Sequence, residues 1–418
     1  MSHLTSWIDI PKDSDFSLHN IPFGIFSTPD KSPRCCTAIG PYVVDLAVLA
    51  EHGYFQALSA SPDVFHKRSL NEFIALGKPH TTKIRERLVD LFSTGNHELQ
   101  EKKDLHLSVF YKHDAVTMMM PVRVGDYTDF YSSIEHATNV GTMFRGSDNA
   151  LLPNWKHLPV AYHGRASSIV VSGTKVIRPK GQFKAQDNPV PSFGPTESLD
   201  YELEIGFVIG KNSNLGESIP IEKAEEYIFG FLLFNDWSAR DIQSWEYVPL
   251  GPFLSKNFMS SVSPWIVTLE ALAPFRTKAP VQDVPILPYL SVKGGRNYDV
   301  QLEIEIQPEG GGPQCISRTN FKHMYWNICQ QLAHHAVNGC NVIVGDIMAS
   351  GTISGPTGDS AGSMLELTRN GQEPIMLNDR TIRKYLLDGD TVIMKGFSVK
   401  NGVRVGFGEV RGKINPSL

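Results

Sequence analysis

Residues 201–209 read Tyr-Glu-Leu-Glu-Ile-Gly-Phe-Val-Ile, with an apolar side chain at every odd position. A period of two marks a strand with one face in a core, which confines this stretch to a sheet. The other face carries Glu202, Glu204 and Gly206. Same-face neighbours on a strand lie about 6.6 Å apart, so the two carboxylates are adjacent like charges. They repel unless water or a cation screens them. Two readings stay open at this point: a solvated strand face, or half of a divalent-cation site.

With 418 residues the chain has room for two or three domains. A formal net charge of −5 offers no electrostatic footprint for nucleic acid or an acidic membrane. The longest uncharged apolar runs, such as residues 228–234, are too short to span a bilayer. Residues 1–9 are neither basic nor followed by an apolar run, so no signal peptide is expected. Pro416-Ser417-Leu418 lacks the basic residue of a peroxisomal signal. Among five cysteines no Cys-x-x-Cys occurs. That argues against a disulfide framework or zinc knuckle, and a reducing, cytoplasmic setting is expected.

Residues 1–118 are expected to form a small β-rich accessory domain, with helical spacing at residues 69–76 and 83–93 and no catalytic cluster. Residues 119–418 are expected to form the catalytic, metal-binding domain. Its polar segment 125–133 reads as a loop ahead of a helix, with Ser133 as N-cap and His136 in the first turns. Residues 179–195 read as a long loop, and residues 229–234 as a buried strand ending in a polar loop at 235–243. Residues 321–337 have the spacing of one amphipathic helix stopped by Gly339. His323, His334 and His335 near its ends suit the helix dipole better than a metal. Residues 363–367 read as a strand.

Gly358-Asp359-Ser360-Ala361-Gly362 matches the serine-hydrolase elbow, but a Gly/Ser/Thr/Pro loop precedes it where a strand is required. It is read as a chance match. Gly406, Gly408 and Gly412 are spaced one residue too far for a dinucleotide fingerprint. The acidic set Asp129, Glu202, Glu204 and Asp236 has the oxygen chemistry of a hard-cation site. Spacing alone does not bring the four together.

Several segments in order carry a resemblance. They include Gly125-Asp126-Tyr127-Thr128-Asp129-Phe130-Tyr131, His136-Ala137-Thr138-Asn139, Met143-Phe144-Arg145-Gly146 and Leu199-Asp200-Tyr201-Glu202-Leu203-Glu204. Asn235-Asp236-Trp237-Ser238-Ala239-Arg240-Asp241-Ile242-Gln243, Lys256-Asn257-Phe258 and Ser350-Gly351-Thr352-Ile353-Ser354-Gly355 complete the set. Together they resemble the fumarylacetoacetate hydrolase family of the full-length, two-domain type. The similarity runs through the whole chain. Smaller relatives share the Glu-x-Glu core but differ outside it.

The resemblance implies a mostly β fold with some α, an N-terminal SH3-like barrel before a larger catalytic domain, and a homodimer. It implies hydrolysis of the carbon–carbon bond of 4-fumarylacetoacetate to fumarate and acetoacetate, the last step of tyrosine and phenylalanine catabolism. The alternative is hydrolysis, isomerisation or decarboxylation of another 2,4-dioxo acid on the same fold. By similarity Asp129, Glu202, Glu204 and Asp236 would bind Ca²⁺ or Mg²⁺, and Lys256 with Ser260 a weaker secondary cation. His136 would activate water, Glu366 would orient it, and Arg240, Gln243 and Lys256 would face the developing oxyanion. Tyr131, Arg145, Tyr247 and Thr352 would hold the diketo-acid substrate.

Overall fold

In the computed structural model, which describes residues 4–58, 61–185 and 189–418, Leu203–Ile209 is the central strand of an eight-stranded sheet. Ile228–Asp236 flanks it on one side and Ile347–Ala349 on the other, both antiparallel. Tyr127–Phe130 lies beyond Ile347–Ala349 in parallel, and Ser260–Val262 lies beyond Ile228–Asp236. The register sets Leu203 opposite Asn235, Gly206 opposite Ala349, Ala349 opposite Asp129, and Asp236 opposite Ser260.

The solvated-face reading of this strand does not hold, because every residue from 201 to 209 is buried. Leu203, Ile205, Phe207 and Ile209 pack with Leu302, Met394 and Phe407 of a second, five-stranded sheet. On the even face Val208 joins Leu232, Phe234 and Ile347 in a core shared with the first part of the chain. Burying each such apolar side chain contributes about 1.5–3 kcal/mol, so the apolar residues decide where the strand sits. The carboxylates between them must be compensated locally.

The first part of the chain forms a five-stranded antiparallel sheet, in the order Phe110–Lys112, Tyr42–Asp45, Lys31–Ile39, Phe23–Thr28, Thr117–Met119. The expected boundary between 118 and 119 falls inside the last of these strands. Helix Lys78–Phe92 covers this core with Thr81, Ile84, Leu88 and Leu91, a three-four spacing on one face. Phe23 and Ile266 exchange backbone hydrogen bonds of 3.0 and 2.8 Å, which fastens this unit to the larger one. Among the described residues no helix is long and apolar enough to cross a membrane.

Four local expectations are corrected. Within residues 125–133, Tyr127–Phe130 is a strand, because Ile347–Ala349 and Ala161–His163 pair with its two edges. Within residues 179–195, Lys180–Phe183 and Ser192–Pro195 pair as a hairpin; residues 186–188, like 1–3, lie outside the described ones. The helix expected from 321 starts only at Ile328. Asn327 takes the N–H groups of Cys329 and Gln330, and Gln330 caps back, so the backbone before it is free to turn separately. Residues Met364–Leu367 form a helical turn in place of a strand, capped by Ser363 Oγ on the Glu366 N–H.

Candidate active site

Asp129, Glu202, Glu204 and Asp236 do converge. Each is buried, and each offers a carboxylate oxygen such that all four lie within 4.8 Å of one another. Glu202 accepts a hydrogen bond from the Lys256 ammonium and lies 2.8 Å from Arg240 Nη1. Asp236 Oδ2 accepts from Lys256 Nζ at 2.8 Å and from the Tyr162 hydroxyl at 2.9 Å, while Ser260 Oγ donates to Oδ1 at 2.7 Å. Glu204 Oε2 accepts from the Gly351 N–H at 2.9 Å. Gly351 has φ +78°, and a Cβ there would come within 2.2 Å of the Phe130 carbonyl, so the donor requires glycine.

The charges divide the set in two. Burial alone would raise Glu202, but Lys256, Arg240 and His136 outweigh it and hold the carboxyl far below its usual range. Burial, followed by the neighbouring carboxylates, pushes Asp129 and Glu204 well above that range. Asp129 Oδ1 and Glu204 Oε1 are buried without a donor among the described residues. Two carboxylates thus have cation partners and two do not. Oxygen-only donors, two of them buried without a hydrogen-bond partner among the described residues, fit a hard divalent cation. Lys256 and Ser260, expected at a secondary cation site, both bond Asp236, and the Lys256 ammonium bridges Glu202 and Asp236.

His136 sits in the first turn of helix Ile134–Arg145, with Ser133 Oγ capping its N–H at 3.2 Å. Its Nδ1 lies 2.6 Å from Glu366 Oε2. Asn139 Nδ2, Ser354 Oγ and Ser363 Oγ also donate to the Glu366 carboxylate, at 2.8–3.0 Å. Burial would raise Glu366, but the adjacent His136 and the hydrogen bonds from His136, Asn139 and Ser363 leave it lowered, hence ionised. A carboxylate on Nδ1 leaves Nε2 as the nitrogen able to accept a proton.

The expected oxyanion donors group around Arg240. Its Nη1 also donates to Gln243 Oε1 at 3.0 Å, so the amide N–H groups are what Gln243 has left to offer. Arg240 Nη2 is buried with no acceptor among the described residues. The Tyr131 ring packs edge-on against His136 at 5.2 Å, and its hydroxyl feels the charges of Glu366, Glu202, Arg145 and Arg240. Arg145 is exposed, its Nε and Nη2 donating to the Asn149 and Ala150 carbonyls at 3.1 and 2.6 Å. Thr352 is buried in the segment after Ile347–Ala349, and Tyr247 stands exposed at the end of helix Arg240–Glu246.

Ser360 does not form a nucleophile elbow: no strand precedes it, and its Oγ donates to the Thr357 carbonyl at 2.6 Å. His334 and His335 bond Tyr289 and Thr128, and neither joins the carboxylate cluster. Sequence reasoning assigned no role to Asn139, Tyr162, Asp200, Ser354 or Ser363. Short polar residues at loop and strand ends carry no spacing signal, and Ser354 and Ser363 gain meaning only through Glu366.

A family model described as "Fumarylacetoacetate (FAA) hydrolase C-terminal" matches residues 127–415, and one described as "Fumarylacetoacetase N-terminal" matches residues 19–121. The chain is 50% identical over 423 residues to a curated protein named fumarylacetoacetase from Dictyostelium discoideum, covering 100% of this chain and 99% of that one. It is 50% identical over 415 residues to the protein of that name from Homo sapiens, covering 99% of each. For Caenorhabditis elegans the figure is 51% over 418 residues, 99% of this chain and 100% of that one. Among solved structures, a fumarylacetoacetate hydrolase from psychrophilic Exiguobacterium antarcticum aligns with 95% of this chain and 99% of its own, at 18% identity and a TM-score of 0.52. That last likeness concerns the fold.

Proposed function

The chain belongs to the fumarylacetoacetase family, and from that premise we propose that it hydrolyses the carbon–carbon bond of 4-fumarylacetoacetate, releasing fumarate and acetoacetate. The observation that carries the reading is the buried His136–Glu366 pair, in a chain half identical over its whole length to proteins of that name.

Asp129, Glu202, Glu204 and Asp236 would hold the cation, which we take to be Ca²⁺ or Mg²⁺ from the all-oxygen donor set. When bound, it supplies Lewis-acid polarisation of the diketone oxygens. His136 takes a proton from water, and Glu366 stabilises the resulting imidazolium. The water oxygen adds to the carbonyl carbon next to the fumaryl group. Arg240 Nη2, the Gln243 amide and the Lys256 ammonium donate to the oxyanion that develops. Its collapse breaks the carbon–carbon bond, and the acetoacetate carbon leaves as an enolate. The proton held on His136 returns to that carbon. Tyr131, Arg145, Tyr247 and Thr352 hold the substrate; the Arg145 fork suits a carboxylate's two oxygens.

Residues 1–118 serve as an accessory domain in this reading. The working form is a homodimer in the cytoplasm, acting at the last step of tyrosine and phenylalanine breakdown.

The test is to incubate the purified chain and a divalent salt with 4-fumarylacetoacetate. Loss of diketone absorbance should accompany equimolar fumarate and acetoacetate. An unchanged substrate, or an isomerised or decarboxylated product alone, overturns the proposal. A panel of other 2,4-dioxo acids tests the alternative chemistry.

A further inference from the structure

We propose that Asp200 is a positioning residue for this reaction, fixing the orientation of Arg240 relative to the helical turn that carries Glu366. The proposal rests on the functional reading above. Asp200 has no exposed surface and ends the short strand Leu199–Asp200, two residues before Glu202. Its Oδ2 accepts from Arg240 Nε at 2.8 Å and from the Leu365 N–H at 3.0 Å. Its Oδ1 accepts from the Met364 N–H at 2.8 Å and from the Tyr201 N–H at 2.7 Å. A carboxylate has about four acceptor sites, and here all are taken. Asp200 is therefore not free to ligate a cation, accept a substrate proton or touch a substrate. It acts only through the groups it holds.

Those groups belong to the two halves of the site. The guanidinium is planar, so fixing Nε on Asp200 and Nη1 on Glu202 fixes where Nη2 points. Nη2 is the donor left without an acceptor among the described residues. On the other side, Met364 and Leu365 open the turn Met364–Leu367, and N–H groups at a helix start need acceptors from outside the helix. Glu366 is the next residue, and its carboxylate meets His136 at 2.6 Å. One side chain thus ties the aim of the oxyanion donor to the seat of the base's partner. A misplacement of about 1 Å in such an array can cost on the order of 100-fold in rate.

The experiment uses the full-length enzyme with its divalent cation. Asp200→Asn and Asp200→Glu are compared with wild type for kcat, KM and thermal midpoint, and Asp200→Asn is combined with Glu366→Gln. Asp200→Asn is expected to stay folded, with kcat lowered about 100-fold and KM changed less than about threefold. The double variant should retain at least about tenfold more activity than the product of the two single losses predicts. An unchanged kcat in folded protein, or losses that multiply, overturns the proposal. Failure of both Asp200 variants to fold assigns the residue to folding and also overturns it. A wild-type enzyme inactive on 4-fumarylacetoacetate overturns the functional reading instead.

Discussion

His136 Nδ1 and Glu366 Oε2 lie 2.6 Å apart although the residues are 230 positions apart in the chain. The two side chains are only 4% and 2% exposed. Glu366 keeps donors from Asn139, Ser354 and Ser363 besides its histidine, so its ionised state does not depend on His136 alone.

For that reason His136→Ala should separate catalysis from folding. General-base catalysis contributes about 100- to 10,000-fold, and kcat should fall by that order. The thermal midpoint should move by a few degrees at most, and divalent affinity should be retained. Steady-state kinetics with calorimetric titration check this. Near-normal turnover would remove His136 from water activation.

The pair also predicts an acid limb of stability. Burial alone would raise the Glu366 pKa, but His136 and the hydrogen bonds lower it below its unfolded value. A carboxyl lowered by folding contributes its full stability above the ordinary glutamate range, near about pH 4.3. That contribution is lost as pH falls through the folded value. Urea midpoints measured from about pH 6 down to about pH 3 should therefore decline less steeply for Glu366→Gln than for wild type. Parallel curves would show that the pair adds no acid-sensitive stability.

Glu202 holds both site cations, Lys256 and Arg240, and shares the carboxylate cluster. Glu202→Gln should weaken divalent binding at least about tenfold by calorimetry, the equivalent of about 1.4 kcal/mol. In wild type, a divalent cation at 100 times its dissociation constant should stabilise the fold by about 2.7 kcal/mol. An unchanged affinity would take Glu202 out of the cation site.

Arg145 lies outside the carboxylate cluster, at the last turn of the His136 helix. Arg145→Leu should raise KM for the diketo acid about tenfold or more, as expected for a lost charged hydrogen bond, with a smaller effect on kcat. An effect confined to divalent affinity would contradict the substrate role.

Ser360 donates to the Thr357 carbonyl, and its surroundings lack the strand–turn–helix of a nucleophile elbow. Wild-type protein should be inert to a fluorophosphonate probe, and Ser360→Ala should keep activity within about threefold. Stoichiometric labelling of Ser360 would reopen serine chemistry.

The alternation at 201–209 by itself determined a strand and the shared direction of Glu202 and Glu204, because side-chain direction along a strand is set by backbone geometry alone. Ser133 was legible as the N-cap of the His136 helix for a similar local reason. The ordered motifs singled out His136 and the four carboxylates, and Glu366 came only with the family resemblance they carry. Tertiary structure decided that Asp129 meets Glu204, because Tyr127–Phe130 reaches the carboxylate strand only through its pairing with Ile347–Ala349. It also decided that the carboxylates are buried, on a strand face whose Val208 joins a core shared with the first part of the chain. Asp200 is the sharpest case: its donors lie 40 positions away at Arg240 and 164 away at Met364. Local spacing dictates which way a side chain points from its own backbone. What it points at depends on segments brought together by burial and strand pairing, and no spacing within one segment encodes that.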